Sequence, residues 1–391
     1  MARRLACVFL AAFVVPMVYA QRVESQLSTL FGQLGLTTDE RAATDAGRPV
    51  VKALSWGKSS EIYIFGAVYI NGSPTKYLAL ARDLKRLAGT PGYLGIGELT
   101  EKATASDVAA LSLDNDDIKS LKSCKEGDCD VQLPTNAIRA FQESVKWTQP
   151  DAADQANALA RQMILDLLRA YIRGGNGALG VYRDKEHPAQ VADQFETMVG
   201  RSASLPDVVP ELRAYLLQYP NASLTSGEEF FYWEHVDFGL KPTIRVNHAV
   251  VYHTGEGAAA IDAVAIKQLY ASHYFHTALD MSVCLQDSAK PDRTGFYLLT
   301  LKSSEQDGLT GPKGSIVRRV VVSRTKSALE KALADIKNTI ERATTGERKA
   351  VLDSLEAPVR QDDREDSSDD RLDRNLSAAV SLPDAGPRPI H

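Results

Sequence analysis

The chain has 391 residues, 44% of them apolar, and a formal net charge of −5 from 45 basic and 50 acidic side chains. That length accommodates two ordinary domains or one domain with a large insertion, and that apolar share supports a sizeable core. The acidic balance lacks the basic surface that nucleic-acid binding requires, so no nucleic-acid partner is expected.

Residues 1–20 read as a secretory signal peptide. Arg3 and Arg4 form the positive start, Leu5 to Val18 is an apolar run broken only by Pro16, and Val18-Tyr19-Ala20 places small residues at a cleavage site before Gln21. Cleavage after Ala20 removes two arginines and no acid, so the mature charge becomes −7. No other window is long and apolar enough to span a membrane. The expected location is therefore periplasmic or secreted, with no transmembrane span once the signal is removed. In that oxidising compartment Cys124 and Cys129, which bracket the turn-forming Gly127-Asp128, are expected to form a local disulfide. A loop this short gains about 2 kcal/mol of chain-entropy stabilisation. A metal site is the competing reading, but no His or Cys pair lies nearby in sequence. Cys284, in an apolar strand, reads as a buried free thiol.

In chain order, residues 21–60 form a mixed N-terminal segment, with an amphipathic helix over Val23 to Leu34 and a loop over Thr37 to Pro49. Glu61 to Asn71 alternates as a strand, and Gly66 marks a bulge or a close approach. Ser73 caps a helix with Pro74 at its first position. Gly92 to Leu99 is a further strand, and Ser106 caps a short helix. Ile118 to Leu133 reads as paired strands around the cysteines. Thr135 opens a helix, and Ala153 to Ile172 continues the helical block until Gly174-Gly175-Asn176-Gly177 ends it. A polar connector over 180–188 and helices near 188–199 and 206–218 follow. Strands return at Glu229–Asp237, Thr243–His253, Val264–Tyr270, His273–Leu285 and Phe296–Leu301. A long helix occupies 314–344 and Gly346 ends it. The β-branched run at 318–322 also permits a strand to about Arg324. Residues 347–391, with the acidic run Asp362 to Asp370 and Pro383 to Pro389, have a composition that cannot bury a core.

This order defines the expected plan. Residues 61–135 and 221–346 are two halves of one α+β domain, and 136–220 is an all-helical insertion. A strand at Ile62–Ile70, the Ser73-Pro74 helix start and the final helix 314–344 together resemble the START-like, or helix-grip, superfamily. That resemblance implies a curved antiparallel sheet gripping a long C-terminal helix, with a cavity between them for a hydrophobic or lipid-like ligand. Phe231-Tyr232-Trp233, Phe238 to Pro242 and Tyr270 to Phe275 look like segments of a family of exported bacterial proteins, a resemblance that carries no activity with it.

The histidines are the candidates for chemistry. A strand at Thr243–Tyr252 puts Val246, His248 and Tyr252 on one face, and one at His273–Leu285 puts His273, Phe275 and Leu279 on one face. With Trp233 these form the expected ligand pocket. His248 and His273 would orient a polar head group or act as general bases; the alternative is a hydrogen-bonded core histidine in each case. His276 with Asp280 reads as a surface pair. Cys284 and His276 lie about 26 Å apart along a strand, too far for direct activation. No zinc, phosphate-loop or nucleophile-elbow motif occurs, and no cofactor or metal is implied. Three functions are open: binding of a hydrophobic small molecule or lipid, a hydrolase-like or cyclase-like enzyme using His248 or His273, and a non-catalytic envelope scaffold with protein partners.

Overall fold

A computed structural model of the chain describes residues 27–202, 204–238, 241–256, 260–286 and 295–356, the last ten as backbone alone. The expected signal peptide 1–20, the acidic and Pro-containing stretch beyond 356 and residues 239–240, 257–259 and 287–294 lie outside the described residues.

The fold is α+β: a curved eight-stranded antiparallel sheet with a long C-terminal helix. Helix α1 (Thr38–Asp45) leads into β1 (Val50–Leu54) and β2 (Glu61–Ile70); α2 (Pro74–Arg82), α3 (Leu84–Ala88) and β3 (Tyr93–Leu99) follow. The helical block contains α4 (Asn115–Ser123), α5 (Thr135–Ser144), α6 (Ala152–Gly174), the two-residue strands β4 (Val181–Tyr182) and β5 (Ala189–Gln190), α7 (Val191–Arg201) and α8 (Pro210–Gln218). Then come β6 (Gly227–Val236), β7 (Thr243–Thr254), β8 (Ile261–Ala271), β9 (Phe275–Gln286), β10 (Phe296–Gln306) and α9 (Gly311–Glu356). The strand order is β1-β2-β10-β9-β8-β7-β6-β3. Residues up to Glu347 make one compact unit, and the end of α9 belongs to a second.

All ten residues of β2 are buried because both faces of the sheet are covered. Ile62, Ile64, Val68 and Ile70 pack with Leu329, Leu333 and Ile340 of α9. Tyr63, Phe65, Ala67 and Tyr69 pack in the opposite layer with Leu165 and Leu168 of α6 and Phe195 of α7. Each such fully buried leucine stabilises its contact by about 2 kcal/mol. At Gly66 α9 comes close to β2: a Cβ there would stand 2.8 Å from Cδ1 of Leu333 and 2.9 Å from Cδ2 of Leu329. The glycine serves close approach of the helix.

Five local expectations are corrected. Residues 37–49 are not a loop. Thr37 and Glu40 form a capping box that starts α1, and Val50–Leu54 then pairs with β2. Ile118 to Leu133 is not paired strands. Asp116 and Asp117 in the first turn of α4 complement the helix dipole, and the spacing of Ile118 and Leu121 suits a helix. The turn at Ser106 is a single 3₁₀ segment, Ala105–Val108, boxed by Thr104 and Asp107. The polar connector folds into the small β4–β5 ribbon. At the C-terminus α9 runs through Gly346 to Glu356, so one glycine does not end it. The Cys124–Cys129 disulfide is present, with Cα atoms 4.6 Å apart. It closes the end of α4 over a small core of Leu121, Val131, Ile138 and Phe141.

Candidate functional site

Three neighbouring strands set the site. Phe231 of β6 pairs with His248 of β7, and His248 pairs with Lys267 of β8. These three side chains stand side by side on the sheet face that meets the helical block. Glu229 lies two residues before Phe231, on the same face. Above them the C-terminal end of α6 supplies Tyr171, the following turn supplies Asn176, and α8 with the residue after it supplies Tyr215 and Tyr219.

Gly175 makes this convergence sterically feasible. Its φ is +58°, and a Cβ there would fall 1.6 Å from the carbonyl oxygen of Tyr219. No other residue type fits between the end of α6 and Tyr219. Asn176 is thereby directed at α8, where its amide donates to the carbonyl oxygens of Leu216 (3.2 Å) and Leu217 (2.8 Å).

The polar groups form a chain. Nε2 of His248 lies 2.6 Å from Oε2 of Glu229, an ion-pair distance off the line of an ideal hydrogen bond. Nδ1 of the same ring is 3.0 Å from the hydroxyl of Tyr171. Lys267 Nζ lies 3.3 Å from that hydroxyl and also donates to Asn176 Oδ1 and the Leu216 carbonyl. Tyr215 donates its phenolic proton to Glu229 at 2.5 Å. His248 is stacked on Phe231, with ring centres 4.7 Å apart, and Tyr171 is stacked on Tyr219 at 4.8 Å.

Burial sets the charges. Lys267 is fully buried, and its amine is pushed down to about 7 by desolvation. Beyond its neutral acceptors Asn176 and Leu216, it lies over the faces of Phe195 (4.2 Å) and Tyr171 (5.0 Å). His248 is held below the usual histidine range by burial, which the Glu229 carboxylate opposes without overcoming. Burial would raise Glu229, but His248 and the hydroxyls of Tyr215 and Tyr219 outweigh it and hold the carboxyl below its ordinary range. Glu229 is therefore ionised and His248 is neutral near pH 7.

Only part of this cluster reaches open space. A cavity of about 380 Å³ is lined by Glu229, Glu228, Tyr215, Tyr219, Pro220, Leu224 and the small residues Ala222, Ser223 and Gly227. His248 and Lys267 lie behind that wall.

The sequence-derived residues are distributed as follows. Trp233, Val246, Tyr252 and Leu279 share the buried face with His248. Trp233 lies over Gly95 and Gly97 of β3 and donates from Nε1 to the carbonyl of Asp107 at 2.8 Å. Tyr252 donates to Glu211 at 2.7 Å. His273 is not brought to this place. It precedes β9, in the turn after β8, because Tyr274 takes a left-handed φ of +63°. There Nδ1 of His273 meets the Asp130 carbonyl at 2.9 Å and Nε2 meets Asp117 at 3.0 Å, while Lys241 pairs with Asp117 at 2.7 Å. Phe275 lies beside Arg245 and Phe238. His276 does not pair with Asp280, which binds Lys302 instead; its ring faces Tyr182. Cys284 is a buried free thiol in the core beneath α9, and burial raises it well above the usual thiol range.

Glu229, Lys267 and the three tyrosines are the functional candidates that sequence reading missed. One signal was available: Lys267 is a lone cation on a strand face otherwise made of Ala263, Ala265 and Leu269.

Among the described residues no three His, Cys, Asp or Glu side chains cluster as a metal site, and no helix is long and apolar enough to cross a membrane. No family model matches the chain, and neither a curated protein nor a solved structure shows detectable similarity to it.

Proposed function

We propose that this chain is an exported small-molecule-binding protein whose ligand carries an ammonium or guanidinium group and docks on Glu229 between Tyr215 and Tyr219. The observation that carries the reading is the ionised Glu229 carboxylate in the wall of a cavity of about 380 Å³. The tyrosines add aromatic faces, which attract cations. Behind the wall His248 is neutral and the amine of Lys267 is pushed down to about 7. The pocket thus keeps the negative charge of Glu229 uncompensated by a full cation. A cavity of this size and mixed lining suits a small polar ligand.

Export is supported by the signal-like segment 1–20 and by the Cys124–Cys129 disulfide, a bond that persists in oxidising compartments. A lipid-like ligand beneath the C-terminal helix is the less supported reading, because Gly66 brings Leu329 and Leu333 into contact with β2 there. A catalytic use of His248 is also less supported, since its ring is wholly buried and the cavity is lined by Glu229, Tyr215 and Tyr219 of the cluster but not by His248.

Isothermal titration calorimetry with choline, agmatine and spermidine, against uncharged analogues and a fatty acid, tests the proposal. A cation should bind, and Glu229→Gln should weaken it at least tenfold. Binding of the fatty acid alone, or of the cation equally well by both proteins, would sink it.

A further inference from the structure

The first turns of α9 are built differently from the rest of the helix. From Leu329 onward the helix buries Leu329, Leu333 and Ile340 against the sheet. Before Leu329 its apolar residues turn outward as well: Ile316 is 58% exposed, Val317 42% and Val320 44%. Val320 follows Val317 by three residues and Ile316 by four, so the three lie on one side of the helix. Single exposed apolar side chains are ordinary, but three β-branched ones on one helix face are a patch. Val321 and Val322, turned toward the sheet, are half-buried.

The charge around that patch has one sign. Residues 311–329 carry Lys313, Arg318, Arg319, Arg324 and Lys326 and no acid at all. Arg318 is used internally, donating to the carbonyl oxygens of Ser59 (2.7 Å) and Glu61 (2.5 Å) and fixing the helix to the start of β2. Lys313 lies one turn before Ile316 and Val317, and Arg319 lies three residues after Ile316; both are exposed. An apolar stripe flanked by exposed cations on a helix anchored from behind is the layout of an interfacial membrane helix.

We infer that the first three turns of α9 dock on the surface of an anionic phospholipid bilayer, with Ile316, Val317 and Val320 entering the interface and Lys313 and Arg319 meeting lipid phosphates. The charge disfavours a second copy as the occupant, because a two-fold contact through this face would oppose like cations. A bound peptide is disfavoured by shape, since the three side chains stand on the outer surface of a helix and peptides dock in grooves. This surface shares no element with the Glu229 cavity, so the inference stands apart from the ligand reading.

Sedimentation with vesicles tests it. The exported form beginning at Gln21, intact at its C-terminus, is mixed with equimolar phosphatidylglycerol–phosphatidylcholine vesicles or with phosphatidylcholine alone. Binding should be at least tenfold stronger to the anionic vesicles and should fall severalfold in high salt. Replacing Ile316, Val317 and Val320 with Gln, a better helix former than Val or Ile, should lower partitioning about tenfold with the melting temperature unchanged. Lys313→Glu with Arg319→Glu should do the same through charge alone. Equal binding to both vesicle types, or equal binding by wild type and both variants, overturns the inference. So does a vesicle-free dimer, seen by analytical ultracentrifugation, that the Gln variant loses.

Discussion

The amine of Lys267 lies 3.3 Å from the hydroxyl of Tyr171, deep between the sheet and α6, with no carboxylate in contact among the described residues. A buried lysine in that position is an ionisable group whose burial cost depends on pH. Its amine titrates at about 7 in the folded chain against 10.5 in an unfolded one. Below pH 7 both states hold the proton and the cost of burying the charge is fully present. Between about 7 and 10.5 the unfolded chain binds a proton that the native chain does not, so stability rises with pH. Relative to Lys267→Met, the wild type should gain about 2–3 kcal/mol between pH 6 and 9, from 1.36 kcal/mol per pH unit once the native amine is neutral. Urea midpoints for the two proteins at pH 6, 7.5 and 9 measure this. Parallel curves across that range would falsify the assignment of Lys267 as a buried neutral amine.

Tyr171 serves two partners with one oxygen. Tyr171→Phe keeps the stack on Tyr219 but removes the hydroxyl from both Nδ1 of His248 and Nζ of Lys267. Each is left buried with one partner fewer. The expected loss is about 1–3 kcal/mol, read as a shift in the thermal or urea transition. A neutral outcome would mean that water replaces the hydroxyl. The same variant should leave cation affinity at Glu229 within about threefold, because Tyr171 does not line the cavity.

How much of this was legible from residues depended on the range of the interactions. The β2 strand, the Ser73-Pro74 start of α2, the strands from Glu229 to Leu301 and the long helix follow local periodicity and capping, and the structure has them. The disulfide followed from spacing and compartment. The face shared by Val246, His248 and Tyr252 followed from strand alternation. What was not legible was set by pairing across long sequence gaps. Lys267 lies beside His248 through strand register, and Tyr171 reaches both from 77 and 96 residues away. Alternation placed His273 in a strand; a positive φ at Tyr274 put it in a turn instead, 156 residues from its Asp117 partner. The Thr37-x-x-Glu40 capping box is a local signal that starts α1 within a stretch whose composition reads as loop.

The Asp117 carboxylate is a buried latch between α4 and the sheet. It is 1% exposed and meets both His273 and Lys241. Burial would raise it, but hydrogen bonds and charge from His273 and Lys241 prevail and hold it below its ordinary value of 3.8. A depressed carboxylate contributes stability that is complete above about 3.8 and disappears as the pH falls toward the native value. Asp117→Ala leaves the His273 ring and the Lys241 ammonium without their buried acceptor, and about 3–5 kcal/mol should be lost at pH 7. Asp117→Asn should be milder at pH 7 and should flatten the acid limb below pH 4. Acid titration followed by circular dichroism distinguishes the two. An acid limb of the Asn variant as steep as that of wild type would remove Asp117 from the latch.

The contact of α9 with the sheet turns on one missing side chain. At Gly66 a Cβ would lie 2.8 Å from Leu333 and 2.9 Å from Leu329, closer than real Cβ atoms approach. The atoms it meets are leucine methyl groups, which can rotate but are themselves enclosed. Gly66→Ala should therefore cost about 1–3 kcal/mol by overpacking, and Gly66→Val more, since a branched side chain has no free direction there. A compensating Leu333→Ala in the Gly66→Ala background should recover part of that loss, although Leu333→Ala alone is destabilising by about 2–5 kcal/mol. The double-mutant cycle is the decisive measurement. A favourable coupling energy of 1 kcal/mol or more places α9 against β2 at this point, and additive effects would mean that the helix does not rest there in solution.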